Sequence, residues 1–541
     1  EVCIWAEKIL HPGEKTRSSW PIQGTTGYDF LNTLLHLLID KNAEQALTDV
    51  YTSFTGINEG YQEILASKKR LVLKELFGSD VHRLSEVLRS ICSTNRRYRD
   101  FTLPELEDVI IELAVWTPVY RTYIRAESGQ VDPEDLQIVQ EVMDQVTRSL
   151  PDTDPELLQL IQKILGLEKT GEQESEFVMR LQQLTAPAMA KGAEDTAFYC
   201  YNRFIAANEV GGDPGSFGLT PEQFHQVMQE RMQATPLAMS TTSTHDTKRS
   251  EDVRARLAVL SEIPELWSDY VHNWAQRTQG YKTQGWPEAN LEYLLYQTLV
   301  GAWPLEEDRL HAFAEKAARE AKTHTTWTRV HAEYEQCVHD FIHALYQDQE
   351  FLSELTALVQ EIEHAGYVNS LSQTLLKMTC PGVPDTYQGT ELWDFSLVDP
   401  DNRRPVDYSL RRSLLAELAG LSVQDIVDRM PEGLPKLWLI HQALHLRRQM
   451  PEAFDSSGGY EPLSLRGSKA THALAFVRGG QVISLCPRLP LSLAGQWENT
   501  VLDLPEGTWH NLLTKTTFSG PTQYAHDLLN DFPVALLKRE E

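Results

Sequence analysis

Residues 1–10 read EVCIWAEKIL. Val2-Cys3-Ile4-Trp5-Ala6 is a short apolar run with β-branched residues, and it ends on the carboxylate Glu7. Such a run, without polar alternation, suits a parallel strand covered on both faces. In an α/β barrel, a carboxylate at the C-terminal tip of a strand stands where chemistry is done. A single Glu followed by Lys8 has a plainer alternative, a loop salt bridge, so the rest of the chain has to decide.

The helix that follows is placed by Leu31, Leu34, Leu35 and Leu38 on one face. From about 51 to 185 almost everything reads as helix. Thr102-Leu103-Pro104-Glu105 has the form of a capping box, and Asp132-Pro133 and Asp154-Pro155 put an acceptor at the N-cap with proline at N1. The exception is Val115–Ile124, aromatic and β-branched, which is expected to be extended. Between 186 and 410, AMAKGAEDTAFY, LAMSTTSTHDTKRSED and CPGVPDTYQGTELWDF each read as a strand end entering a polar loop. Helices fill 287–375 and return up to about Met450. The last ninety or so residues change character. ALAFVRGGQVISLCPR reads as a hairpin with Gly479-Gly480 as a two-residue turn, and EGTWHNLLT and FPVALLKR as further strands.

The chain has 541 residues, long enough for roughly two to four domains. With 41% hydrophobic and 23% charged residues it has the composition of a folded globular protein. A net charge of −28 argues against nucleic acid or an anionic membrane as partner, since both are polyanions. Neutral polyols remain compatible with it. The six cysteines are scattered without a CxxC pair, which favours reduced thiols and a cytoplasmic setting. No apolar stretch reaches the ~18–20 residues needed to span a bilayer. Nor is there a metal motif, a Walker A loop, a GxGxxG after a strand or a GxSxG elbow, so no cofactor is expected.

The densest chemical cluster is THDTKRSED, Thr244 to Asp252. A Thr/Ser-rich strand delivers His245 and Asp246 side by side, then Lys248 and Arg249. A carboxylate and an imidazole so placed can clamp vicinal hydroxyls, and an Asp beside cations stays ionised. The alternative is that Asp246 or Ser250 caps the helix RSEDVRARL. GTTGYDF (with Tyr28 and Asp29) and KGAEDTAFY (with Lys191) carry charged groups at turns, where helix capping is again the plain alternative. Twelve tryptophans offer stacking platforms for sugars, although most aromatic residues in a chain of this size are core.

In order along the chain, AEKIL, IQGTTGYDFLN, AKGAEDTAFYCYNRFIAANEVGGDP, THDTKRSED and PGVPDTYQGTELWDFSLVDPDNRRPVDY resemble the α-amylase superfamily of (β/α)8-barrel glycosidases and transglycosidases. Within it, they resemble the maltooligosyltrehalose synthase family, (1→4)-α-D-glucan 1-α-D-glucosylmutases. The resemblance implies an α/β fold: a TIM barrel of which the chain holds the C-terminal half, strands five to eight, with a large helical insertion and a C-terminal all-β sandwich. The implied division is 1–50 (strand five, loop and helix), 51–185 (helical insertion), 186–455 (strands six to eight with helices) and 456–541 (β-domain).

It also implies roles. Glu7 is the general acid/base and Asp246 the carboxylate that stabilises the transition state. His245, Lys248, Lys191, Tyr28 and Asp29 are substrate-binding. The substrate is a maltooligosaccharide, whose reducing-end α-1,4 linkage becomes α,α-1,1 in a retaining double displacement that serves trehalose biosynthesis. The family's nucleophile lies in an Arg-x-Asp-His motif, and this sequence contains none. The expectation is therefore a C-terminal portion, inactive alone, whose partner is the N-terminal half of the barrel. The rivals are an α-amylase-type hydrolase, and a non-catalytic fragment or one half of a split protein.

Overall fold

A computed structural model describes residues 2–540; Glu1 and Glu541, the outermost residues of the first and last expected segments, lie outside it. It contains two pairs of short parallel strands. β1 (Trp5–Ala6) pairs with β2 (Gly24–Thr25), and β3 (Met239–Ser240) pairs with β4 (Val383–Pro384). No ladder joins the pairs, but they lie against each other. A Cβ on Gly24 would sit 2.4 Å from the Cβ of Ala238, and one on Gly27 would sit 2.5 Å from the carbonyl of Met239. Gly27 also has φ +103°, so close approach and backbone conformation both require glycine there. The Trp5 indole donates to Leu237 O at 2.7 Å, a second tie between β1 and the approach to β3.

The helix Tyr28–Leu38 follows β2 and buries Leu31, Leu34, Leu35 and Leu38, the face read from the sequence. Seven helices then run from Glu44 to Met189. Those from Tyr61 onward enclose a core of their own, including Leu88, Leu106, Ile110, Leu157, Ile161 and Phe177. The Glu105 carboxylate accepts the Thr102 N–H at 2.8 Å, and Asp154 accepts the Glu156 N–H at 2.8 Å. Asp132 sits at its N-cap too, but its side chain makes no cap bond and faces Arg17 at 3.8 Å.

Two expectations fail here. Val115 and Trp116 finish the helix Leu103–Trp116, and residues 117–124 form no strand. Pro118 stops the helix, and the segment is held by a side chain: Gln182 accepts from Ile124 N at 2.9 Å and donates to Ile124 O at 3.0 Å. AMAKGAEDTAFY, in turn, is no strand end. The helix Glu172–Met189 continues through a π-turn, Ala190–Glu194, and a 3-10 turn, Ala197–Tyr199. Three parallel strands were expected within 186–455. Among the described residues only β3 and β4 lie there, and β2 precedes the helical insertion.

Helices Glu251–Ala258, Ala289–Ala302, Glu307–Ala321, Ala332–Gln347, Gln349–Thr379 and Leu434–Gln449 complete the main body. No helix among the described residues is long and apolar enough to cross a membrane.

The C-terminal part holds two antiparallel sheets. The larger runs β11 (Thr517–Ser519), β10 (Thr508–Asn511), β13 (Ala535–Arg539), β8 (Val482–Pro487), β7 (Ala473–Arg478), β5 (Glu461–Pro462). The smaller runs β12 (Thr522–Tyr524), β9 (Val501–Asp503), β6 (Leu465–Arg466). Ala475, Ile483, Leu485, Trp497, Leu502 and Trp509 share a core between them. On the opposite face of the larger sheet, Leu474, Phe476, Val482 and Leu536 pack with Leu439 and Leu375 of the main body. Burial on both faces is why β7 and β8 are almost continuously apolar. Their turn has three residues, not two, because Arg478 pairs with Val482. Gln481 is left out of the ladder, and its carbonyl accepts Arg539 N instead. Gly479 and Gly480 both have positive φ, 56° and 62°.

Candidate active site

Glu7 stands exposed just beyond β1. Its neighbour Lys8 is buried and pairs with Glu14 at 2.6 Å, so the loop salt bridge exists but does not engage Glu7. From the other strand pair comes the turn after β3. His245 and Asp246 are exposed on it, 3.3 Å apart (Nε2 to Oδ2). Tyr28 links the two strand ends. Its hydroxyl lies 3.0 Å from Thr244 Oγ1. Burial pushes the phenol pKa well up; the Thr244 hydrogen bond opposes this, and the nearby carboxylates of Asp246, Glu7 and Glu209 reinforce it. Glu7, Asp246 and Tyr28 are thereby brought to one place.

Asp246 is not a helix cap. Ser250 occupies the cap position of Glu251–Ala258, and the first helical N–H, that of Glu251, is taken by Ser243 Oγ at 2.8 Å. The turn is held from behind by Glu209, which is fully buried. Glu209 Oε1 accepts Lys248 N at 2.7 Å, and Oε2 accepts Arg254 Nη1 at 2.9 Å and Arg249 N at 3.3 Å. From the loop after β4, the Asn402 amide donates to the carbonyls of His245 (3.0 Å) and Thr244 (3.3 Å).

Lys191 and Lys248 meet on a residue that the sequence reading passed over. Asp195 Oδ2 lies 2.6 Å from Lys191 Nζ, and Oδ1 lies 2.9 Å from Lys248 Nζ. Burial disfavours the charge on Asp195, but the two lysines outweigh it and hold its pKa down to about 2. A carboxyl depressed in the folded state stabilises the fold above its unfolded pKa and loses that contribution as pH falls. Asp195 should therefore contribute about 2 kcal/mol at neutral pH, lost between about pH 4 and 2. In urea denaturation, the stability gap between wild type and Asp195→Asn should narrow over that window. A gap independent of pH would refute the assignment.

Asp29 behaves differently from the expectation that groups it with the ligand-binding residues. Its oxygens accept Thr25 Oγ1 at 2.5 Å and Arg231 Nη1 at 2.8 Å. Arg231 also donates to Met239 O at 2.6 Å and Pro381 O at 2.9 Å. Asp29 thus clamps the start of its helix onto β3 and the entry to β4, and both of its oxygens are engaged within the fold.

A cavity of about 540 Å³ adjoins the Glu7 loop. It is lined by Ile9 and His11, by Tyr61 and Lys69 of the helix Tyr61–Glu75, by Trp116 and Tyr120, by Glu194 of the π-turn, and by Gly211–Asp213. Its volume lies within the ~300–1,000 Å³ typical of small-ligand sites. Among the described residues no cluster of three or more His, Cys, Asp or Glu is placed to hold a metal. Of the groups missed from sequence, Glu209 carried one signal, a carboxylate inside the run FIAANEV, whose other residues are apolar except Asn208. Glu194 and Asp195 lay inside a stretch read as a strand end.

By geometry this is a strand-end carboxylate site near a partly open, aromatic-walled cavity. The chain is similar over 99% of its length, at 36% identity, to a Mycobacterium tuberculosis protein carrying the name maltooligosyl trehalose synthase. It spans 65% of that relative's length. Maltooligosyltrehalose synthase from Arthrobacter ramosus superposes with a TM-score of 0.88 at 35% identity, covering 99% of this chain and 66% of that one. A Sulfolobus tokodaii structure, described as a hypothetical maltooligosyl trehalose synthase, gives 0.77 at 30% identity, with 99% and 65% covered. No protein-family model matches the chain.

Proposed function

We propose that this chain supplies the acid/base glutamate, the transition-state-stabilising aspartate and the reducing-end pocket of a maltooligosyltrehalose-forming enzyme. The observation that carries the reading is the cavity that adjoins the loop following Glu7, walled largely by the helical insertion. In this reading β1 to β4 are strands five to eight of a (β/α)8 barrel, and residues beyond this sequence supply the first four. They also supply the nucleophile, since no Arg-x-Asp-His occurs here. The chain alone would then bind sugar without turning it over.

The chemistry follows from where the groups stand. A retaining mechanism places nucleophile and acid/base ~5–5.5 Å apart across the scissile bond. The nucleophile attacks C1 of the penultimate glucose while Glu7 gives its proton to the departing O4 of the reducing-end glucose. Asp246, with His245 beside it, accepts hydrogen bonds from hydroxyls of the sugar and faces the developing oxocarbenium charge with its own negative charge. The released glucose stays in the cavity, whose volume of about 540 Å³ leaves room for it to turn. Glu7, now a carboxylate, takes the proton from the anomeric hydroxyl, whose oxygen attacks C1 and expels the nucleophile. The product is an α,α-1,1 linkage. Walls that exclude water protect the glycosyl-enzyme from hydrolysis.

A hydrolase of the same superfamily would release glucose instead. Product analysis of the whole enzyme separates the two: a non-reducing trehalosyl end supports the reading, and glucose with shortened oligosaccharide refutes it. Lys248 is expected to help retain the glucose, through its place beside Asp195 and Lys191. Lys248→Ala should raise glucose release relative to isomerisation several-fold, and an unchanged ratio would remove Lys248 from that role.

A further inference from the structure

The cavity contains two groups that the mechanism above does not use. Glu194 is anchored through one oxygen only. Its Oε1 accepts the Tyr120 hydroxyl and the Gly211 N–H, the latter at 3.1 Å. Tyr120 is itself pinned, its carbonyl accepting Thr185 Oγ1 at 2.8 Å. A carboxylate can accept about four hydrogen bonds, and among the described residues Oε2 makes none. Two fixed donors on one oxygen orient the other, and Glu194 lines the cavity.

Lys69 is 1% exposed, also lines the cavity, and has no carboxylate within ion-pair distance among the described residues. Its ammonium makes one hydrogen bond, to Thr117 O at 2.9 Å. Of its three N–H groups two are left over. The π-turn that carries Glu194 rests on the Lys69 stem, where a Cβ on Gly192 would come within 2.6 Å of Lys69 Cγ. The cavity thus offers a fixed acceptor and a fixed donor on touching elements, beside the aromatic walls of Tyr61 and Trp116. A pyranose presents the complement: hydroxyls that both donate and accept, and an apolar C–H face that packs on rings. An inorganic anion would satisfy Lys69 but be repelled by Glu194 and Asp213.

We propose that Glu194 and Lys69 are the groups that grip a single pyranose in this cavity, Glu194 accepting from its hydroxyls and Lys69 donating to them. This rests on the reading of the cavity as the reducing-end pocket. Burial raises the Glu194 pKa, with the Lys248 charge opposing, and burial lowers that of Lys69 to about 7, so rising pH strengthens the acceptor while it takes a proton from the donor.

The test uses the whole enzyme that contains this chain. D-glucose is titrated by calorimetry into wild type, Glu194→Gln, Tyr120→Phe and Lys69→Met, with thermal unfolding of each as the check on folding. Glu194→Gln, which keeps the shape, should weaken glucose binding at least tenfold, and Tyr120→Phe severalfold by freeing Oε1. Lys69→Met should weaken it as well. Monodeoxyglucoses give a readout that a merely structural role would not move. The one lacking the hydroxyl gripped by Glu194 should bind wild type weakly, yet lose nothing further in Glu194→Gln. Glucose binding unaltered in folded Glu194→Gln overturns the inference and leaves the pocket reading intact. No binding of glucose or maltotriose to wild type overturns both.

Discussion

A Glu7→Gln variant of the whole enzyme is expected to turn over maltooligosaccharide ~10²–10⁴ times more slowly, the usual contribution of a positioned general acid/base. Glutamine keeps the size of the side chain and removes only the proton it would give and take back. The same substitution in the present chain should change stability by no more than ~0.5 kcal/mol, because Glu7 is exposed and its neighbour Lys8 is satisfied by Glu14. Large kinetic loss with no structural loss is the signature sought. Rate measurements on the whole enzyme and urea unfolding of the chain supply its two halves. A rate within tenfold of wild type would remove Glu7 from the acid/base role.

The capping box at Thr102 and the buried face of Tyr28–Leu38 were readable because the physics is local. The strand before Glu7 was readable only in part: Trp5–Ala6 forms it and the carboxylate follows by one residue, but Val2 and Ile4 are exposed rather than covered on both faces. Likewise the strand expected to run to Thr244 ends at Ser240, and a turn rather than a strand tip delivers His245 and Asp246. What was not legible depended on partners far away in sequence. Asp29 was read as a carboxylate at a turn; its second partner, Arg231, lies 202 residues on. Lys191 and Lys248 were singled out separately, but only the fold brings both to Asp195. AMAKGAEDTAFY was taken for a strand end because small apolar residues followed by charge fit a strand leaving a sheet. The same residues fit a helix that loosens into a π-turn, and periodicity over so short a run does not choose between them. Glu194, the residue on which the cavity's chemistry turns, sits inside that misread stretch. Gln481 shows the same limit on a smaller scale, since a third strand takes its carbonyl and lengthens the turn.

The second large effect lies behind the site. Glu251, Asp252, Lys377 and Lys436 are each at most 2% exposed. Lys436 Nζ lies 2.7 Å from Glu251 Oε1 and 2.9 Å from Asp252 Oδ2, and Lys377 Nζ lies 3.2 Å from Glu251 Oε2 and 2.8 Å from Thr242 Oγ1. Burial alone would strip the proton from Lys436, but the two carboxylates reverse that and hold its pKa above that of a free lysine. Two cations balance two anions, and the anions open the helix Glu251–Ala258 directly after the turn that bears Asp246. Asp252 also accepts Asp394 N at 2.7 Å, which ties in the loop after β4. Lys436→Met therefore leaves one cation against two buried carboxylates and should cost about 3–5 kcal/mol, the range for removing one partner of a buried ion pair. The loss should shrink when the uncompensated charge is removed as well. Lys436→Met with Asp252→Asn restores the balance between Glu251 and Lys377, and should recover a large part of the stability in equilibrium urea unfolding. If Lys436→Met alone costs under about 1 kcal/mol, the network is not what holds this segment. If the double variant is no more stable than the single one, the cost is lost packing rather than unpaired charge. With the network intact, Thr242 is held by Lys377, Lys248 and Arg249 by Glu209, and Asp252 by Lys436. Asp246 can then stand exposed on a turn held along its length, because the carboxylates behind it, Glu209, Glu251 and Asp252, are each paired with a cation.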